Sequence, residues 1–236
     1  RVLFRSRGVD MHQAPYVHGL FRDVFTGVDT RQKKAIPIGE LHMLLNKDPQ
    51  SEKLRRTQAI ANLLFQFCGM PFSDLAHLEK SNLERGLLKY NRTKTGTPMS
   101  IEVLESAQNA IGGLYNKSDA RSSGYPDYLF RILSGAYKRN EEGAYREYQS
   151  ALRRFNNELK SLSRKLRLHS PVTSYTLRHS WATTAKYRGV PIEMISESLG
   201  HKSIKTTQIY LKGFELEERT KVNKLNYSYV CNFKML

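Results

Sequence analysis

Three side chains near the end of the chain have the types and spacing needed to break and rejoin a phosphodiester. Arg178 begins the segment R-H-S-W-A-T-T-A, His201 follows Gly200 in S-L-G-H, and Tyr210 ends T-T-Q-I-Y. A guanidinium offers a rigid fork of N–H donors that fits the non-bridging oxygens of a phosphodiester. A histidine adds a group whose ordinary pKa lies near neutrality. A tyrosine hydroxyl could attack the phosphorus and form a covalent phosphotyrosine.

The energy of a phosphodiester cut in this way would be kept in the tyrosine linkage. A second DNA hydroxyl could then displace the tyrosine, and the DNA would be rejoined without ATP. The sequence contains no P-loop, no CxxC pair and no HExxH segment, the usual marks of nucleotide and zinc sites. We therefore expect this chemistry to need neither a nucleotide cofactor nor a metal ion.

The overall charge favours a polyanionic partner. Lys and Arg number 38 against 22 Asp and Glu, which gives a formal net charge of +16. Such an excess attracts nucleic acid whatever its sequence, and an anionic membrane surface is the second candidate. No apolar run approaches the roughly 18 residues of a membrane-spanning helix. Cys68 and Cys231 are isolated in the sequence, which indicates a reducing compartment without a disulfide framework.

Helices must position the three side chains, because each lies in or beside a segment with a helical signature. Thr173 or Ser174 can cap a helix that carries Arg178. Gly200 would end the next helix and release His201 from it, and a third helix would deliver the tyrosine. The three groups would therefore meet only if these short helices pack against one another.

The remainder of the chain is also mainly helical in pattern, with one hairpin. Helices are predicted from Ile38 and after Ser51, and a long helix over 144–168 places apolar residues at steps of four and three. The runs 87–92 and 98–103 are joined by T-K-T-G-T, which predicts an antiparallel hairpin. The expected fold class is therefore mainly α with a small antiparallel β-sheet.

The segments R-H-S-W-A-T, L-G-H and T-T-Q-I-Y, in this order and spacing, resemble the catalytic half of the tyrosine recombinases, also called the phage integrase family. The details are most similar to integrases of Bacteroides mobile elements. The resemblance implies the DNA breaking-rejoining fold and a site-specific recombinase, or integrase, of a mobile genetic element. It would act through a 3′-phosphotyrosine and a Holliday junction, with Arg178 and His201 stabilising the pentavalent phosphate that Tyr210 attacks.

The resemblance gives roles to three further residues. K-T-G in the hairpin turn matches the catalytic lysine of the family, so Lys94 would protonate the 5′ oxygen or donate into the minor groove. The alternative is an exposed turn lysine. Tyr175 stands where many members have histidine, and since tyrosine is a poor proton acceptor at neutral pH, we expect it to contact or position the phosphate. His179 is expected to pack or hydrogen bond near the nucleophile helix.

One position departs from the family pattern. The family segment G-x-R-x-S-E/D carries a first catalytic arginine, whereas residues 69–74 read G-M-P-F-S-D and place Pro71 there. Three interpretations stay open. Arg55 or Arg56 could fill the gap, this branch could work with one arginine fewer, or catalysis could be weakened.

The resemblance also implies a division of the chain and a set of partners. Residues 1–37 would be the end of a truncated N-terminal core-binding domain plus a linker, residues 38–212 the catalytic domain, and residues 213–236 a tail docked on a neighbouring protomer or on its own chain. The implied partner is double-stranded DNA at the attachment sites of a mobile element. A homo-tetramer would bind this DNA together with accessory DNA-bending proteins. Without DNA the chain could be a monomer. We expect a cytoplasmic bacterial protein with no membrane partner.

Two other functions fit the same residues. A type IB topoisomerase or a telomere resolvase would share the tyrosine chemistry but would not exchange strands between partners. A catalytically impaired DNA-binding relative would keep the basic fold with an inactive site, and Pro71 is the feature that favours it. Against this second alternative, Lys94, Arg178, His201 and Tyr210 are all present together.

Overall fold

The computed structural model describes residues 35–117, 125–139, 141–211 and 216–231, with only the backbone of residues 209, 210, 216–218, 229 and 230. Most of the predicted N-terminal part, residues 1–34, lies outside the described residues, as does most of the loop predicted over 116–125. The side chain of Tyr210, the predicted nucleophile, also lies outside them.

The described residues form nine α-helices and one antiparallel sheet of three strands. In chain order the helices are α1 (Ile38–Asn46), α2 (Glu52–Gln66), α3 (Phe72–Ala76), α4 (Glu105–Leu114), α5 (Glu142–Lys165), α6 (Ser174–Tyr187), α7 (Ile192–Ser198), α8 (Ile204–Tyr210) and α9 (Leu216–Cys231). The strands are β1 (Leu83–Glu84), β2 (Leu87–Asn91) and β3 (Pro98–Glu102). The predicted class, mainly α with a small antiparallel sheet, is confirmed.

The predicted hairpin is the larger part of the sheet. Strands β2 and β3 pair antiparallel, with Leu88 opposite Ile101 and Asn91 opposite Pro98. The two-residue strand β1, which the sequence did not predict, pairs with the start of β2. Because side chains alternate along a strand, the buried Leu88 shares its face with the half-buried Tyr90, while Lys89 between them is exposed. Continued past Asn91, this alternation turns position 92 towards the interior.

The main core lies where α5 packs against α2, α3 and α6. The apolar stripe predicted for α5 is buried over the C-terminal half of the helix, at Phe155, Leu159 and Leu162. Helix α2 begins directly after Ser51, as predicted, although the Ser51 side chain makes no capping hydrogen bond. Helix α5 begins at Glu142 and ends at Lys165, slightly earlier at both ends than the periodicity predicted.

A second, smaller core joins the three helices that carry the predicted catalytic residues. It consists of Ala182 on α6, Ile195 on α7, and Leu199 and Leu211 just beyond α7 and α8. Helix α6 begins at a capping box in which Thr173 accepts a hydrogen bond from the backbone N–H of Thr176. The start of α6 is therefore set by hydrogen bonds between residues close in sequence, and the second core holds α7 and α8 against α6.

The C-terminal helix α9 presents apolar side chains to solvent. Val222, Leu225 and Tyr227 are all more than half exposed. Within the described residues, no helix has both the length and the apolar composition required to cross a bilayer.

Candidate active site

Arg178 lies at the centre of the site and links three segments. Its side chain, on α6, is only 7% exposed. Its Nη1 donates to the backbone carbonyl of Gly69 at 2.8 Å, and its Nη2 donates to the carbonyl of Leu199 at 2.7 Å. The same Nη2 lies 3.3 Å from Nε2 of His201. The guanidinium is therefore held between the α2–α3 loop and the end of α7.

The loop before α3 is shaped to meet this guanidinium. Cys68 and Gly69 both have left-handed φ angles, of 53° and 65°, which turn the chain sharply after α2. A Cβ placed on Gly69 would lie 3.2 Å from Cβ of Trp181 and 3.3 Å from Cα of Arg178. The absence of a side chain at Gly69 lets the loop rest on α6 and direct its carbonyl at the arginine.

His201 is held by hydrogen bonding groups on both ring nitrogens. Its Nδ1 lies 2.8 Å from Oγ1 of the buried Thr207 on α8. Since a guanidinium can only donate, Nε2 faces Arg178 as an acceptor, and we assign the imidazole proton to Nδ1, which donates to Thr207. Burial first, and then the positive charges of Arg178, Arg92 and Lys94, lower the pKa of His201 to about 4. The imidazole is therefore neutral at physiological pH.

This low pKa predicts a specific loss of stability in acid. Because the folded protein disfavours the protonated imidazole, the unfolded chain takes up this proton first, from its ordinary pKa of 6.5. The stability that neutral His201 contributes is complete above about pH 6.5 and is lost as the pH falls towards the folded-state pKa of about 4. We expect the free energy of unfolding, measured in urea at pH 7.5 and pH 5, to fall more for the wild type than for His201→Gln.

The matched control for this pH comparison is His42→Gln, since His42 is exposed on α1. That variant should retain the acid-dependent loss of the wild type. Identical losses in His201→Gln and His42→Gln would contradict the assignment of a buried neutral imidazole at position 201.

Lys94 is exposed in the β2–β3 turn, and this turn is attached to the segment that carries His201. The hydroxyls of Thr95 and Thr97 lie 2.9 Å apart, and each donates to the carbonyl of Gly200 at 3.4 Å. The Lys94 charge is the smallest of the causes that lower the pKa of His201. The hairpin therefore brings an exposed ammonium to the edge of the Arg178–His201 pair.

Arg92, at the end of β2, is a site residue that sequence reasoning missed. It is 6% exposed, and its Nε donates to Oδ2 of the buried Asp74 at 2.9 Å. Its Nη1 donates to the carbonyl of Leu199, and more weakly to that of Gly200 at 3.4 Å. The alternation along β2 was the available signal, because it places this arginine on the same face as the apolar Leu88.

Gly200→Ala is expected to lower stability and activity more than Gly189→Ala. Both glycines have left-handed φ angles, of 63° and 78°, which cost other residues about 1–2 kcal/mol. A Cβ at Gly200 would also lie 2.7 Å from Cδ of Arg92 and 2.8 Å from Sδ of Met99. At Gly189 no described atom lies within 4 Å of such a Cβ. Thermal unfolding of the two variants measures the difference, and equal losses would contradict the close packing at Gly200.

The remaining predicted residues lie on the same helices. Tyr175 is 42% exposed in the first turn of α6, and His179 is buried beside Arg178. Tyr210 is the last residue of α8, three positions after Thr207, so its backbone lies one turn further along the helix that contacts His201.

Arg55 and Arg56, the two upstream candidates for the missing arginine, are bound elsewhere. Arg55 is an exposed residue paired with Asp48 and Glu52. Arg56 donates to the backbone carbonyl of Arg131. The hypothesis that one of them fills the place of Pro71 finds no support in these contacts.

The assembled site is suited to bind an anion through two of its oxygen atoms. Arg178, Arg92 and Lys94 supply three positive charges around a neutral imidazole, and Asp74 is the carboxylate paired with one of them. Among the described residues, no group of three or more His, Cys, Asp or Glu side chains is arranged to hold a metal ion. The arrangement can bind a phosphodiester and stabilise the negative charge that grows on its oxygens during substitution.

Comparison with known proteins identifies the class to which this fold and site belong. The sequence profile of the phage integrase family matches residues 38–216, which is most of the chain. The chain belongs to the phage integrase family, that is, to the tyrosine recombinases.

Two curated relatives show how much of such a protein the chain represents. It is 30% identical over 190 residues to the tyrosine recombinase XerD of Halalkalibacterium halodurans, covering 76% of this chain and 57% of that protein. It is 28% identical over 204 residues to a probable integrase/recombinase protein of Methanocaldococcus jannaschii, covering 84% and 58%. The chain therefore spans less than two thirds of the length of these relatives.

Solved structures with a similar fold include a recombinase and a transposon integrase. XerA recombinase aligns with a TM-score of 0.57 and 22% identity, covering 89% of this chain and 68% of that one. The Tn1549 transposon integrase in complex with a circular intermediate DNA aligns with a TM-score of 0.62 and 14% identity, covering 94% and 82%. At these identities the similarity shows the fold, and it confirms the predicted catalytic-domain architecture.

Proposed function

We propose that this chain carries the catalytic domain of a site-specific DNA recombinase of a mobile genetic element, of the type found in Bacteroides. It cuts and rejoins double-stranded DNA through a 3′-phosphotyrosine. Tyr210 attacks the phosphorus, Arg178 and His201 act on the non-bridging oxygens, and Lys94 protonates the departing 5′ oxygen. Tyr175, in the first turn of α6, contacts or positions the phosphate.

The observation that carries this proposal is the convergence of Arg178, His201 and the Lys94 turn on the backbone at Leu199 and Gly200. These groups come from distant parts of the chain, and the fold joins them through hydrogen bonds at 2.7–3.4 Å. A surface of scattered basic residues, sufficient for DNA binding alone, needs no such convergence.

The state of His201 supports a role in proton transfer. Its neutral ring donates from Nδ1 to Thr207, and Nε2 is an acceptor that faces Arg178 in the absence of DNA. That nitrogen can accept the proton that the Tyr210 hydroxyl releases as it attacks. The resulting imidazolium would be stabilised by the phosphate charge, which raises the pKa that burial and the neighbouring cations lower in the free protein. It can then donate a charge-assisted hydrogen bond to the phosphate.

The proposed assembly is a homo-tetramer on DNA, at the attachment sites of the element, in the bacterial cytoplasm and with DNA-bending proteins as accessory factors. The exposed apolar residues of α9, at Val222, Leu225 and Tyr227, support a helix that is covered by a neighbouring protomer. The net charge of +16 supports DNA as the partner.

The proposal is tested with nicked suicide duplexes made from the DNA that flanks the gene. The wild-type chain, in EDTA, should form a covalent complex that survives a denaturing gel, and peptide mapping should find the DNA on Tyr210. A shift on a native gel without any covalent band would overturn the proposal in favour of a DNA-binding relative. Relaxation of supercoiled plasmid without exchange between two marked duplexes would favour the topoisomerase alternative.

A further inference from the structure

We propose that Arg92 is the second guanidinium that contacts the scissile phosphate, and that it supplies from strand β2 the charge missing at Pro71. This inference rests on the proposed function of the same site. It makes Arg92 a catalytic residue, in addition to any help it gives in holding the backbone of Leu199.

The two arginines share an acceptor. Nη2 of Arg178 and Nη1 of Arg92 both donate to the carbonyl oxygen of Leu199. Two guanidiniums bound to one oxygen repel each other, and the carboxylate of Asp74, paired with Arg92, supplies one negative charge for these two positive charges. A phosphodiester beside the shared carbonyl would supply the second negative charge.

Asp74 fixes the orientation of Arg92. The carboxylate of Asp74 is fixed by its own contacts, since Oδ1 accepts from the Thr93 backbone N–H and from the Ser73 hydroxyl, both at 3.2 Å. Its Oδ2 then binds Nε of Arg92 at 2.9 Å. With Nε on Asp74 and Nη1 on the backbone, Nη2 has no acceptor among the residues that the structure describes. Two N–H groups of a rigid, charged fork are thus left available beside Arg178 and His201.

Pro71 and Asp74 belong to the same short helical segment. The proline stands at the N-terminal boundary of α3, and Asp74 follows three residues later in that helix. The serine and the acidic residue of the family segment are present even though its arginine is not. In this chain the acidic residue binds an arginine that arrives from the neighbouring strand. The charge is therefore supplied to the same region of the site from a different element.

A second cation is expected because Arg178 already makes hydrogen bonds within the protein. One of its terminal nitrogens already binds the Gly69 carbonyl and the other binds the Leu199 carbonyl and faces His201. Negative charge develops on two non-bridging oxygens in the transition state, and each needs aligned donors. Arg178 alone leaves part of that charge without a fixed partner.

The test compares phosphodiester and methylphosphonate at the scissile position of the suicide duplex. A methylphosphonate has a neutral methyl group in place of one charged oxygen, so a residue whose task is to neutralise that charge becomes dispensable. We expect Arg92→Ala to cleave the phosphodiester at least about 100-fold more slowly than the wild type, the loss typical of a removed transition-state donor. On the methylphosphonate it should cleave at a rate close to that of the wild type.

Two results would overturn the inference. Equal losses of Arg92→Ala on both substrates would show that the arginine only holds the Leu199–Gly200 backbone, and a wild-type rate on the phosphodiester would show that it has no role. The matched control is Arg146→Ala, since Arg146 forms an exposed ion pair with Glu142 on α5. This variant should cleave both substrates at wild-type rates.

Folding and the proposed function are controlled separately. Arg92→Ala leaves Asp74 buried without its partner, which could prevent folding. The double variant Arg92→Ala/Asp74→Asn removes both charges and is measured in parallel. If the single variant does not fold, the double variant gives the same comparison of the two substrates. A wild-type chain that forms no covalent product on either substrate would overturn the proposed function. A wild type that cleaves, with no selective recovery of the Arg92 variants, would overturn the Arg92 inference alone.

Discussion

Tyr210→Phe is expected to abolish the covalent protein–DNA complex and to leave the affinity for DNA close to that of the wild type. The substitution removes one hydroxyl group, which is the only atom of the side chain that can attack phosphorus. DNA affinity depends mainly on basic side chains at phosphates, and the net charge of +16 is unchanged by the variant. The effect should therefore appear almost entirely in the chemical step.

The Tyr210 prediction is measured on suicide duplexes, with a denaturing gel for the covalent complex and a native gel for binding. Tyr145→Phe is the matched control, because Tyr145 is a well-exposed tyrosine on α5 and its hydroxyl should be dispensable. A covalent complex that persists in Tyr210→Phe would show that another group is the nucleophile. A parallel loss in Tyr145→Phe would show that the assay reports something other than this chemistry.

Arg178→Lys is expected to reduce the rate of cleavage by roughly 10³-fold even though the positive charge is conserved. A lysine offers one ammonium where the arginine offers two terminal nitrogens. Its three N–H groups lie on a single nitrogen, so it cannot reproduce the bonds that two separate nitrogens of Arg178 make to the Gly69 and Leu199 carbonyls and also reach a phosphate. At least one buried carbonyl would lose its donor, which costs about 1–3 kcal/mol.

Single-turnover cleavage and thermal unfolding together test the Arg178 prediction. The midpoint of unfolding should fall for Arg178→Lys, and cleavage should remain slow at temperatures well below that midpoint. Arg146→Lys, at an exposed ion pair on α5, controls for the exchange of a guanidinium for an ammonium. An Arg178→Lys variant that unfolds at a lower temperature but cleaves DNA at the wild-type rate when folded would contradict a catalytic role for Arg178.

Much of the fold could be predicted because local signals and tertiary contacts agree. The steps of four and three along α5 reflect a single buried face, and Phe155 and Leu159 lie on it. The cap at Thr173 uses groups only three residues apart, so the sequence contains all the information needed. The same holds for Gly200, where a helix end favours a residue that tolerates a left-handed φ.

The place of Arg92 in the site could not be predicted in this way. Arg92 meets Asp74 across 18 positions and Leu199 across 107, and no periodicity connects residues so far apart. Arg55 and Arg56, the two upstream candidates for a replacement at Pro71, make their contacts elsewhere. The alternation along β2 shows only that Arg92 points inward, and which acid receives it depends on how α3 and the sheet pack.

One carbonyl group has consequences for how this protein could lose activity. The carbonyl of Leu199 accepts hydrogen bonds from both arginines. The next two residues are Gly200, which binds the hairpin turn, and His201. The side chain of Leu199 lies in the core shared by α6, α7 and α8. A displacement of this short segment would shift both arginines, the hairpin turn and His201 together. Loss of function in such a protein can therefore begin in apolar packing, and a descendant could retain every signature residue and yet be inert.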